Sequence, residues 1–142
     1  MLLHHVSIKT ADIFRAIAFY ERLGFHIEKR FTAGITLACW LLGSQGRIEL
    51  MQVPTPNLTH RPDPFGDPDY VGYYHLSLLV DNLEATLAAL ADIPVEVLLP
   101  PTRQTIEDLN YRVAFIRDPD GLPIELMQIT QRDPVPHGIG DP

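Results

Sequence analysis

The chain has 142 residues, 46% of them hydrophobic, with 11 Lys and Arg against 18 Asp and Glu for a formal net charge of -7. That length suits one compact domain or two small fused modules, and the acidic balance argues against nucleic acid or an anionic membrane as a main partner. The longest largely apolar stretch, Ile35 to Leu42, is too short to cross a bilayer, no secretory leader is legible, and the single cysteine, Cys39, allows no intrachain disulfide, so a cytoplasmic protein is expected.

In chain order, Leu2 to Thr10 reads as a strand, with Val6, Ile8 and Thr10 on one face and His5, Ser7 and Lys9 on the other. Asp12 is a good N-cap for a helix to about Leu23, with Ile13, Ala16, Ile17 and Tyr20 as its apolar stripe and Gly24 as its stop. Phe25–Arg30, Ile35–Leu42 and Arg47–Val53 read as strands, the last two joined by a turn at Gly43-Ser44-Gln45-Gly46. Residues 54–70 hold five prolines and read as an irregular linker. The pattern then restarts. Tyr73–Val80 is a strand, and Asn82 caps a helix with the stripe Leu83, Thr86, Leu87 and Leu90. Val95–Leu99 is a strand, Pro100–Leu109 a loop, Tyr111–Arg117 a strand, Asp118-Pro119-Asp120-Gly121 a turn, and Leu122–Thr130 the last strand. Residues 131–142 read as a tail. The expected units are a first module over 1–53, the linker 54–70, a second module over 71–130, and the tail.

Two echoes organise this pattern. Ile48-Glu49-Leu50-Met51-Gln52 returns letter for letter as Ile124-Glu125-Leu126-Met127-Gln128, and His5-Val6-Ser7-Ile8 returns as His75-Leu76-Ser77-Leu78. Self-similarity at a fixed spacing marks a duplicated supersecondary unit. Each unit reads as βαβββ, and the fold class is α+β: two such modules forming a curved, mostly antiparallel sheet with helices outside. The period of two puts His5 and Glu49, and likewise His75 and Glu125, on the face away from the helix. Two imidazoles and two carboxylates facing one another suit a divalent first-row metal ion such as Zn, Ni, Co, Mn or Fe. In an octahedral site they leave two positions for a substrate with two adjacent oxygens, whose carbonyl the metal polarises. Either Glu49 or Glu125 could then act as the general base at the carbon beside that carbonyl.

The motifs resemble the vicinal oxygen chelate superfamily, which includes glyoxalase I, fosfomycin resistance proteins, methylmalonyl-CoA epimerase, extradiol dioxygenases and bleomycin resistance proteins. The resemblance covers about residues 1–130. It rests on His5-Val6-Ser7-Ile8, on Ala18-Phe19-Tyr20-Glu21-Arg22-Leu23-Gly24-Phe25, on His75-Leu76-Ser77-Leu78, and on Asp118 through Leu126. The set His5, Glu49, His75 and Glu125 resembles the ligands of bacterial-type glyoxalase I, a lactoylglutathione lyase acting through an enediolate. Dioxygenase or epimerase chemistry, or metal and ligand binding without turnover, are the alternative readings. The resemblance also implies a homodimer and a small-molecule substrate, with glutathione as a possible part of it. Two positions depart from that family's glutathione contacts: Lys9 stands where it has Arg, and Val53 where it has Asn.

The remaining polar residues have plainer readings. His4 is expected as a non-ligand, and His26, His60 and His137 as surface residues. Ser7 and Ser77 are small residues beneath a ligand. Lys9, Arg103 and Arg117 are read as solvated charges, Met51, Met127, Leu79 and Ile129 as core, and Cys39 as a buried small hydrophobe.

Overall fold

The structure, a computed structural model, describes residues 1–44, 46–57 and 62–132. His60, His137 and the tail from residue 133 lie outside the described residues. The first half runs β1 (Val6–Thr10), α1 (Ile13–Arg22), β2 (His26–Ala33), β3 (Thr36–Leu42) and β4 (Arg47–Gln52). The second runs β5 (Leu76–Leu79), α2 (Leu83–Ala88), β6 (Val97–Ile106), β7 (Leu109–Arg117) and β8 (Pro123–Arg132). The βαβββ order holds in both halves.

The strands form two separate four-stranded sheets, ordered β1-β4-β3-β2 and β5-β8-β7-β6, where the sequence suggested one. In each, the first strand runs parallel to the last and the other pairings are antiparallel. A helix between the first two strands provides the crossover that a parallel pair needs.

The repeated pentapeptide explains why the halves fold alike. Ile48, Leu50, Ile124 and Leu126 are buried beneath the helices. Each such side chain contributes about 1.5–3 kcal/mol on leaving water. The closing glutamine has a second task. Gln52 Oε1 accepts from the Ile13 N–H at 2.9 Å, and Gln128 Oε1 from the Leu83 N–H at 2.7 Å. Each last strand thus caps the helix of its own half, satisfying one of the amides that a helix start leaves without a partner. Asp12 and Asn82 cap the same two ends as expected.

The two halves share one core, in which Tyr20, Ile13 and Ala16 join Leu83, Ile116 and Leu126. The 118–121 turn clasps the first half. Tyr20 Oη donates to Asp118 Oδ2 at 2.8 Å, Thr10 Oγ1 to Asp120 Oδ2 at 2.5 Å, and the Ala11 N–H to Asp120 Oδ1 at 2.9 Å. Asp118 Oδ1 accepts from the Asp120 and Leu122 amides, and Gly121, at φ 91°, closes the turn. Burial pushes the Asp118 carboxyl above the ordinary range and, together with the Asp118 charge, raises the Tyr20 phenol.

A further expectation is corrected. Residues 100–106 are not a loop but part of β6. Pro100 and Pro101 fit because β6 is an edge strand and its register slips between Leu99 and Thr102, the places where a sheet tolerates a missing N–H.

Candidate metal centre

His5 and His75 each stand one residue before the first strand of their half, and Glu49 and Glu125 lie in the adjacent last strands. Register pairs Ser7 with Glu49 and Ser77 with Glu125. Each serine hydroxyl donates to its glutamate, Ser7 to Glu49 Oε1 at 2.8 Å and Ser77 to Glu125 Oε1 at 2.5 Å. The serines therefore orient the carboxylates, a role beyond that of small filler residues.

Ring nitrogen and carboxylate oxygen lie 3.5 Å apart in both pairs, His5 Nε2 to Glu49 Oε1 and His75 Nε2 to Glu125 Oε1. That is long for a hydrogen bond. It is close to the spacing of two donors on one cation, which at about 2.1 Å from zinc stand roughly 3.0–3.4 Å apart. Imidazole with carboxylate and no thiolate is a donor set for a divalent first-row ion. The residues present fit such an ion. In one chain, however, the described residues contain no group of three or more His, Cys, Asp or Glu side chains placed to hold a metal. The structure brings His5 to Glu49 and His75 to Glu125, and leaves the two pairs apart. Both histidines, with Ser7, Lys9, Tyr70 and Tyr74, border one cleft of about 840 Å³.

The pairs differ in their support. Trp40 Nε1 donates to Glu49 Oε2 at 2.9 Å, so both oxygens of Glu49 are engaged. Burial alone would push this carboxyl up. The Trp40 and Ser7 hydrogen bonds, with the nearby imidazoles, outweigh it and hold Glu49 below the ordinary range. Opposite Glu125 the register places Phe115, whose ring has no N–H to offer. Among the described residues Glu125 keeps the single hydrogen bond from Ser77. His75 packs edge-on against Tyr74 and Phe115, and its Nδ1 is buried with no hydrogen-bond partner among the described residues. His5 Nδ1 stands 2.7 Å from His4 Nδ1.

Other expectations divide. Lys9, Arg103 and His26 are exposed. Arg117 is not a solvated charge: it bonds Asp63 at 3.0 Å and Glu96 at 3.1 Å, tying the linker to the second sheet. Met51 and Met127 are half-buried, but Leu79 and Ile129 are exposed rather than core, at 68% and 39%; strand alternation puts them, like Glu125, on the face away from the helix. Cys39 is buried, and burial raises its thiol.

Comparison with known proteins agrees with this architecture. YaeR, an uncharacterized protein of Escherichia coli strain K12, is 32% identical over 132 residues, covering 88% of this chain and 94% of its own. A probable lactoylglutathione lyase of Synechocystis is 27% identical over 93% of this chain and 98% of its own. The crystal structure of a glyoxalase family protein from Bacillus cereus superposes with a TM-score of 0.73 over 91% of this chain and 94% of that one, at 22% identity, and so supports the fold. The sequence profile of one family matches residues 2–126, nearly the whole described length and both His–Glu pairs. With its duplicated βαβββ halves and that match, the chain belongs to the Glyoxalase/Bleomycin resistance protein/Dioxygenase superfamily.

Proposed function

We propose that the protein is a metal-dependent, glyoxalase I-like lyase or isomerase acting through an enediolate on a small α-keto substrate of the hemithioacetal type. The observation that carries this reading is the duplicated His–Glu pair, with its donors 3.5 Å apart in each half. His5, Glu49, His75 and Glu125 would hold the ion. A divalent ion bound there supplies Lewis acidity to a carbonyl oxygen. Glu49, hydrogen-bonded at both oxygens, is suited to stay a ligand. Glu125, held through Ser77 alone among the described residues, is suited to swing and act as the base. It takes the proton from the carbon beside the carbonyl and returns it to the neighbouring carbon, so the substrate is isomerised with no net change in Glu125. Lys9, exposed at the cleft, is placed to meet an anionic part of the substrate.

Two separate pairs in one chain make a four-donor site only if a second copy brings its His75–Glu125 pair to the first copy's His5–Glu49 pair. Leu3, Val71, Tyr73 and Leu79 are exposed around the two histidine-bearing edges, which suits a homodimer.

The test is turnover of the methylglyoxal–glutathione hemithioacetal by metal-free protein reloaded separately with nickel, cobalt, manganese, zinc and iron. Activity that Glu125→Gln abolishes supports the reading. Metal binding without turnover of this substrate under any metal overturns it. Mixing inactive His5→Ala with inactive His75→Ala protein then tests sharing. Random exchange leaves half the dimers mixed, each with one intact site of two, so about a quarter of wild-type activity returns. Sites built within one chain return none.

A further inference from the structure

The second half of the chain repeats the donors of the first but not their supports. Counting 70 residues on from His4 reaches Tyr74, and 76 on from Arg47 reaches Pro123, while Phe115 holds the register place of Trp40. In the first half these three residues form a connected brace. Arg47, paired with Glu28 through two hydrogen bonds, donates from Nη1 to the His4 carbonyl at 3.0 Å. The His4 ring meets Trp40 edge-on at 4.9 Å. Trp40 donates to Glu49, and His4 Nδ1 lies 2.7 Å from His5 Nδ1. In the second half all three are replaced, and the nitrogen of His75 that corresponds to the supported one in His5 is buried without a partner among the described residues.

Resting on the metal-site reading, we propose that His4 is a positioning residue, which accepts the Nδ1 proton of His5 and so fixes the ring that presents Nε2 beside Glu49. Two neutral imidazoles can share an Nδ1–Nδ1 contact only if one of them donates. His5 is the donor for a physical reason. Its Nε2 stands 3.5 Å from Glu49 Oε1, too far to place a proton well on that oxygen, which already accepts from Ser7. A proton on His5 Nδ1 leaves the Nε2 lone pair available to a cation. Ligand histidines almost always donate from their other nitrogen to an acceptor beside the site, usually a carboxylate, a backbone carbonyl or water, and losing it costs roughly 10- to 100-fold in metal affinity or activity. His4 supplies the partner here, with its backbone carbonyl held by Arg47 and its ring set against Trp40 in a T-shaped contact. The two halves are thereby divided: a preorganised first pair and a looser second one.

The experiment compares wild type with His4→Phe, which keeps a ring against Trp40 but removes the acceptor, and with His4→Asn, whose Oδ1 can stand near the place of Nδ1. Nitrogen-15 spectra of the metal-free proteins read the His5 tautomer. Zinc and cobalt titrations read affinity, and Tyr111→Phe, in β7 away from the cleft, is the control from the other half. The expected result is an Nδ1 proton on His5 in wild type, a shift toward the Nε2 tautomer in His4→Phe, and a return in His4→Asn. Affinity should fall roughly 10-fold or more in His4→Phe, recover within about 3-fold in His4→Asn, and stay unchanged in Tyr111→Phe. A His5 tautomer already on Nε2 in wild type, or one that His4→Phe does not move, overturns the proposal. A tautomer that follows His4 in a protein that binds neither metal would instead fail the metal-site reading and leave the role of His4 standing.

Discussion

Asp120→Ala should unfasten the two halves from each other. The carboxyl is 8% exposed and accepts from Thr10 Oγ1 at 2.5 Å and from the Ala11 N–H at 2.9 Å, both of the first half. Truncation leaves the half-buried Ala11 amide without this acceptor, a loss of at most about 1–3 kcal/mol. Thr10 is better placed, since its hydroxyl can turn to the Asp12 carbonyl 3.1 Å away, and removing a buried carboxyl returns some desolvation. The sum is about 1–3 kcal/mol, a sizeable part of the roughly 5–15 kcal/mol that holds a domain folded. Urea unfolding followed by circular dichroism should show the midpoint falling with an unchanged slope. Asp120→Asn keeps an oxygen for Ala11 and an amide for Thr10, so it should lose less than half as much. An alanine variant within about 0.5 kcal/mol of wild type would show that the clasp adds nothing the shared core does not already supply.

Two further outcomes follow from the same region. Asp118 has a raised pKa caused first by burial, so its stabilising contribution is fully present below the ordinary carboxyl pKa and is lost as pH rises through the raised value. In Asp118→Asn, whose Oδ1 can still take the Asp120 and Leu122 amides, the fall in urea midpoint from acid toward neutral pH should flatten; an unchanged slope with pH sinks this account. Arg22 also spans the halves, to Asp92 and the Ala89 carbonyl, but in the open. Exposed pairs contribute little, so Arg22→Met should leave the urea midpoint unresolved from wild type.

The pentapeptide shows why so much was readable and where reading stops. Strand alternation sends Ile and Leu to the helix face and Glu to the other, and this needs nothing from distant residues. A matching His on the parallel neighbour then falls on the same side. The repeated glutamine was visible too, yet its task as a helix cap depends on how the last strand meets the helix of its own half. The β6 prolines misled because proline forbids only a ladder donor, and an edge strand with slipped register does not need one. The clasp was hidden for a different reason. Aspartates in a turn are ordinary in sequence, and only the packing of Tyr20 and Thr10 against them shows that they are buried. Trp40 and Phe115 look like interchangeable core aromatics until register sets each beside a glutamate.

That last difference can be transplanted. Phe115 faces Glu125 as Trp40 faces Glu49, so Phe115→Trp can bring an indole N–H to the second glutamate. The larger ring must find room among Phe65, Tyr74 and His75, whose centroids lie 5.2, 6.2 and 5.0 Å from that of Phe115. Phe65 belongs to the linker and is half-buried, so it can yield at a cost within the roughly 1–3 kcal/mol typical of overpacking. If Glu125 must swing to act as the base, a second hydrogen bond of about 1–2 kcal/mol holds it back and lowers turnover roughly 5- to 30-fold, while metal affinity holds or rises. Trp40→Phe is the mirror experiment: it frees a carboxylate suited to remain a ligand, so metal affinity should fall first. A Phe115→Trp enzyme that binds metal and turns over at the wild-type rate would mean that the hydrogen bonds of the two glutamates do not set their roles, and the division of labour between the halves would have to be sought elsewhere.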